Sequence, residues 1–130
     1  MIDLCAILAV VPVVRDPDLS VEARQRLIDG CDSIVLGPKF FKLDCGAQRW
    51  IMAHEAGHWI ASRIGFSNWI KAAEEAGLDV WDNLPWGTHN SEEAFAETFV
   101  VLMLTPEEHR HLDWQRFVRA IVVRWQREGE

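Results

Sequence analysis

The sequence predicts an α+β domain, rich in helix, with a small sheet near its N-terminus. Three observations carry this reading. Short β-prone apolar runs are confined to the first third of the chain, at 4–14, 33–36 and 40–43. Helical periodicity dominates from residue 47 onward. Glycines and prolines separate these runs cleanly, with no repeat, low-complexity tract or linker between them. A length of 130 residues suits one core, so a single domain over 1–130 is expected.

Residues 4–14 read as a core strand. The apolar run Ile2–Val14 is interrupted by Asp3 and Pro12, lacks a basic segment before it, and is too short to span a bilayer. Ser20 as N-cap and Gly30 as stop suggest a short helix over 21–29, carrying Val21, Leu27 and Ile28. Ser33–Leu36 reads as a strand closed by Gly37-Pro38, with Phe40–Leu43 as its partner. A long helix is expected from Ala47 to Ile64, stopped by Gly65. Ser67 caps a shorter one over 68–76, ended by Gly77, and 78–90 read as loop. A helix follows over 91–104. Thr105-Pro106-Glu107-Glu108 has the form of a capping box with proline at the first helical position. It predicts a last helix over 106–127, whose apolar residues 114, 117, 118, 121, 122 and 125 form one stripe.

Composition narrows the function. With 49% hydrophobic and 25% charged residues the chain is not of the disordered class. Its 20 acidic against 13 basic residues, a formal charge of -7, disfavour nucleic acid as the main partner, because phosphate binding needs a basic surplus. No run suits a membrane helix, so no membrane partner and a cytoplasmic location are expected. Cys5, Cys31 and Cys45 are odd in number and widely spaced, which gives no disulfide framework and no metal knuckle. They read as small buried hydrophobes. Seven Trp, six Phe and no Tyr exclude any mechanism that needs a phenolic hydroxyl.

His54-Glu55-Ala56-Gly57-His58 is an HExxH sequence inside the long helix. Residues four apart lie about 40° from one another around a helix, so both imidazoles project from one face. Two such nitrogens can meet one Zn²⁺, and Glu55, on the adjoining flank, can reach a water held there. The opposite face, with Met52, Ala56, Trp59 and Ile60, suits a core. Gly57 is unfavourable in a helix interior by about 1 kcal/mol relative to Ala, which points to close approach by another element.

A catalytic zinc takes three protein ligands and keeps one position open. The segment Ser91–Phe99 offers Glu93 and Glu97 on one face of a helix, with Phe95, Phe99 and Leu102 opposite; Glu92 points away from the Glu93/Glu97 face. Asn90-x-x-Glu93 is also a capping spacing, so Glu93 reads either as cap or as ligand, and the nearby HExxH favours ligand. Glu97 then orients a ligating histidine from behind.

His54-Glu55-x-x-His58 followed by Glu93-x-x-Ala96-x-x-Phe99 resembles a gluzincin metallopeptidase. With Asp32–Leu36 before the helix and Leu102–Pro106 after it, the chain is similar to ImmA/IrrE-type peptidases. Glu93–Phe99 also resembles the Glu helix of anthrax-lethal-factor-like peptidases. The resemblance covers residues 32–108. It implies a zincin-like fold, in which a small N-terminal mixed sheet packs on the HExxH helix, followed by the Glu-bearing helix and a C-terminal helix. It implies substrate along an edge strand from the 33–43 region, His54, His58 and Glu93 as zinc ligands, and Glu55 as general base. Lethal-factor-like relatives place an oxyanion-stabilising Tyr seven residues before the ligand Glu, where this chain has Trp86. An indole N–H is a donor without acidity. His89, four residues before Glu93, reads equally as a substitute donor or as a solvated loop residue.

The remaining aromatics and imidazoles are weaker signals. Trp81 and Trp86 suit a substrate-cleft wall or a core plug; Trp50, Trp59, Trp114 and Trp125 suit helix packing. His109 and His111 diverge on a helix and suit a solvated face. The sequence thus predicts a zinc endopeptidase acting on a peptide or protein substrate, with oligomeric state open. The competing reading is a catalytically weak or self-inhibited zinc-binding regulatory module, in which the 106–127 helix covers the cleft.

Overall fold

The computed structural model describes residues 4–128. Its elements run α1 (Leu4–Val10), β1 (Val13–Arg15), β2 (Ala23–Ile28), β3 (Cys31–Leu36), α2 (Cys45–Ile64), α3 (Phe66–Glu75), α4 (Ser91–Leu104) and α5 (Leu112–Glu128). The class is α+β, and the described strands form one mixed sheet in the order β1-β3-β2. β1 runs parallel to β3, with Val13 opposite Ile34, and β2 runs antiparallel to it, with Ala23 opposite Leu36.

Several N-terminal expectations are corrected. The 4–14 run is a helix followed by a strand. A continuous apolar run does not distinguish buried helix from buried strand, and here Ile7 and Val11, four apart, are both buried. Pro12 then forces the chain into extended backbone. The expected helix at 21–29 is strand β2. Asp29 and Gly30, both at positive φ (51° and 80°), form the two-residue connection of a hairpin to β3. Phe40–Leu43 is no strand: Phe40–Lys42 form one 3₁₀ turn, with Phe40 buried.

The C-terminal half follows the helical pattern more closely. Asp44 caps α2 by accepting from Ala47 N–H at 2.8 Å, so the helix starts at Cys45. α3 begins at Phe66 with Gly65 as its N-cap, so Ser67 lies inside it rather than capping it. α4 covers 91–104 as expected. The last helix starts later than expected. Thr105 closes α4 instead of opening α5, and the Glu108 carboxylate accepts from the N–H groups of His109 and Arg110 rather than reaching back. His111 at φ 54° ends this turn, and α5 begins at Leu112.

The core lies between the sheet and the helices. Ile34, Ile60, Trp69, Phe95, Phe99, Val118 and Val122 are fully buried in it. Trp59 ties α2 to the sheet by donating its indole N–H to Asp32 O at 3.0 Å. Trp125 of α5 stands edge-on to Trp59, with ring centres 5.8 Å apart.

Candidate metal centre

The centre is built where α2 crosses α4. The close contact is between small residues: Gly57 of α2 meets Ala96 of α4, and Ala53 and Ala56 of α2 are buried as well. A β-carbon on Gly57 would stand 3.0 Å from Ala96 Cα and 3.1 Å from Phe99 Cβ. The glycine thus has the role its sequence position suggested: it lets two backbones approach. The N-terminal turn of α4 is fixed by Asn90, whose Oδ1 accepts from Glu93 N–H at 2.9 Å. Capping and metal-ligand roles for Glu93 therefore do not compete, because the cap uses its backbone and leaves its carboxylate free.

That carboxylate meets both histidines of HExxH. Glu93 Oε1 is 3.0 Å from His58 Nε2, and Oε2 is 3.3 Å from His54 Nε2. The two Nε2 atoms are 3.2 Å apart. Donors about 2.0–2.1 Å from a tetrahedral zinc stand about 3.3–3.4 Å from one another; the two Nε2 atoms already have that spacing, and each has one oxygen of the Glu93 carboxylate at a similar distance. Two imidazole nitrogens and a carboxylate oxygen are also the donor chemistry that zinc takes. The three residues can hold a metal ion.

Comparison with family models, curated proteins and solved structures finds no match. The chemistry therefore rests on the site itself.

Glu97, one turn along α4, places Oε1 3.3 Å from His54 Nδ1. That nitrogen is buried and has no aligned hydrogen bond, which leaves the carboxylate as its charge partner. Burial opposes a charge on His54, but Glu97, Glu93 and Glu55 together raise its pKa above the ordinary imidazole value. For His58 burial prevails, supported by repulsion from His54 against the pull of Glu93, and its pKa falls. The Glu55 carboxyl is raised, first by burial and further by Glu93, with His54 opposing.

Gln25 is the residue that sequence reasoning missed. From β2 its side-chain amide donates to Glu55 O at 2.8 Å and pins the HExxH turn to the sheet. The signal was Asp29-Gly30, which marks 23–28 as a hairpin arm and places Gln25 on its inward face. β2 is also the edge strand beside α2, whereas β3 is the middle strand of the sheet. The expected substrate edge at 33–43 is therefore corrected.

Among the other predicted residues, Glu92 is exposed and lies on the His58 side of the triad, where it borders a cleft. His89 is exposed and forms no hydrogen bond or ion pair among the described residues. Trp86, half-buried at φ 63°, lines a cleft with Trp50 and Glu97. Its indole N–H is donated to Thr98 Oγ1 at 3.0 Å, so it is already engaged. Trp81 and Trp50 are exposed, which corrects the core-plug and helix-packing readings for them. His111 is not simply solvated; its ring packs edge-on to Trp86 at 4.7 Å. Cys31 and Cys45 are exposed rather than buried, and the Cys5 side chain lies outside the described residues. The buried face of α5 (Trp114, Gln115, Val118, Val122) belongs to the core, and the clefts that adjoin the triad are lined from β2, α2, α3 and α4 and by Glu22.

Proposed function

We propose that this chain is a zinc-dependent endopeptidase of gluzincin type with a zincin-like fold. The observation that supports it most is the convergence of His54 Nε2 and His58 Nε2, 3.2 Å apart, with the Glu93 carboxylate, whose two oxygens lie 3.3 and 3.0 Å from them, on the face of an HExxH helix. His54, His58 and Glu93 would hold the zinc, and Glu97 would fix the orientation of the His54 ring. Zinc bound there supplies Lewis acidity, lowering the pKa of water and polarising a peptide carbonyl.

The chain's own groups then divide the work. Glu55 takes a proton from the water that attacks the scissile carbonyl carbon, and returns it to the amine as the C–N bond breaks. Its carboxyl is half-buried in the site, and in the absence of metal burial raises its pKa; a positioned carboxylate is the kind of base this exchange uses. Gln25 holds the backbone of Glu55 in place from β2. His89, exposed on the loop before α4, would supply the N–H donor to the oxygen on which negative charge develops. Such a donor is worth about 3–4 kcal/mol in proteases where one has been removed.

One observation favours the second reading, a zinc-binding regulatory module of low turnover. With no tyrosine in the chain and the Trp86 N–H held by Thr98, the oxyanion has only an exposed, unanchored donor in His89.

Zinc content and cleavage of a peptide library, measured on the wild type and on Glu55→Gln, separate the readings. The peptidase reading expects one zinc in both proteins and cleavage only by the wild type. Full cleavage by Glu55→Gln would overturn the mechanism, and zinc binding without cleavage by the wild type would favour the module.

A further inference from the structure

Two clefts adjoin the His54–His58–Glu93 triad, one on each side. On the His58 side Phe66 and Trp69 wall a cavity of about 240 Å³, and Glu92 stands at its border. On the His54 side Trp50 and Ile51 wall a second of about 220 Å³, bordered by Glu22. The two share a composition. Each offers an exposed aromatic, Phe66 or Trp50. Each offers an exposed carboxylate, Glu92 or Glu22, that forms no ion pair among the described residues. Neither is lined by a lysine or arginine.

Arg26 and Arg110 are engaged by acids of their own. Arg24 and Arg26 alternate with inward-facing Ala23 and Gln25, and so occupy the outer face of β2, where Arg26 pairs with Asp16 at 3.1 Å. Arg110, beside the cleft of Trp86, is clasped by Glu108 at 3.1 and 3.2 Å. Glu55 and Glu97 add acidity to the His54 side.

An apolar wall leading to an unpaired carboxylate suits one side-chain type. The methylene stem of Lys or Arg packs along aromatic surface, while the charged head reaches the carboxylate and water. The cation gains further by lying over a ring face, and guanidinium pairs with carboxylate through two parallel hydrogen bonds. An acidic side chain in either cleft would face like charge, so the arrangement also selects by repulsion.

We propose that this site recognises basic peptide segments, with Lys or Arg residues flanking the bond to be cleaved. The proposal rests on the peptidase reading for the word cleaved, and on the two clefts for the word basic. Glu92 and Glu22 set the preference.

The test uses fluorescent decapeptides that differ only at the two central residues, as Arg/Lys, Gln or Glu pairs. Their binding to zinc-loaded Glu55→Gln protein is followed by anisotropy, and their cleavage is followed with wild type. Basic peptides should bind at least about tenfold more tightly than acidic ones, with the gap narrowing as salt rises and screening shortens the reach of charge. Glu92→Lys and Glu22→Lys should each reduce or invert that ratio, with circular dichroism and zinc content unchanged. Equal binding of the three peptides, or no binding, would overturn the proposal. A basic preference in binding with no cleavage by wild type would leave the recognition standing and remove the peptidase reading.

Discussion

Gly57 of α2 faces Ala96 of α4 so closely that a β-carbon on the glycine would sit 3.0 Å from the alanine Cα and 3.2 Å from its carbonyl oxygen. The obstacle is backbone, which does not rotate away as a long side chain would. Two effects oppose each other in Gly57→Ala. Helix propensity favours alanine by about 1 kcal/mol, while overpacking a tight contact costs about 1–3 kcal/mol. Because α4 carries Glu93 and α2 carries both histidines, any separation of the helices also opens the triad. Gly57→Ala is expected to lower the melting temperature by several degrees and to weaken zinc binding at least about tenfold, as seen in thermal unfolding and competition titration. A variant that melts higher and binds zinc as well as wild type would show that the close approach is not needed.

Zinc should stabilise the fold through the same three residues. Anything that binds only the folded state adds RT ln(1 + [L]/Kd), about 2.7 kcal/mol at a hundredfold excess over Kd. Melting temperature should rise with zinc and fall back with a chelator. In Glu93→Gln the rise should nearly vanish while α4 stays intact, because Asn90 caps the Glu93 N–H and not its carboxylate. Asn90→Ala should do the converse, costing about 1 kcal/mol in the absence of metal. An unchanged zinc response in Glu93→Gln would remove Glu93 from the ligand set.

The helical half of this fold and the metal triad were legible in the sequence for the same reason. HExxH and the Asn90–Glu93 cap are local patterns whose geometry follows from helical spacing alone. The bend of the chain at 105–111 was not, because Thr105-Pro106 satisfies a capping rule that the Glu108 carboxylate breaks by binding forward to His109 and Arg110. The same ambiguity misled at Gly30, which can end a helix or turn a hairpin; only the pairing of β2 with β3 decides. Cleft composition was illegible altogether. It joins Glu22 to Trp50 and Glu92 to Phe66 across 28 and 26 residues of sequence, and depends on how β2, α2, α3 and α4 assemble.

Glu97 gives a test of positioning that leaves the three ligands in place. Its Oε1 lies 3.3 Å from His54 Nδ1, the nitrogen that does not face Glu93. A carboxylate there fixes the ring and strengthens the opposite nitrogen as a donor. Glu97→Ala should weaken zinc binding by about 10–100-fold without changing its one-to-one stoichiometry. Glu97→Gln should recover part of that loss, since an amide oxygen still accepts from Nδ1–H. Equal losses in the two variants would show that the carboxylate charge, not a hydrogen bond that orients His54, is responsible.

The turn between α4 and α5 supplies a pH prediction. Glu108 accepts from the side chain and backbone of Arg110 and from His109 N–H, with the arginine first among the causes, and its pKa is lowered to about 2. Its folded pKa lies below the ordinary carboxylate value, so the clasp is complete above that ordinary value and is lost as pH falls through about 2. The carbonyls of Glu108 and Arg110 also accept from the buried Gln115 side chain, at 3.2 and 2.6 Å, which ties the turn to α5. A ¹³C-detected titration should therefore find Glu108 ionised at pH 3, and Arg110→Ala should move its midpoint back toward the ordinary range. A midpoint near the ordinary value in wild type would mean that the clasp is not formed in solution.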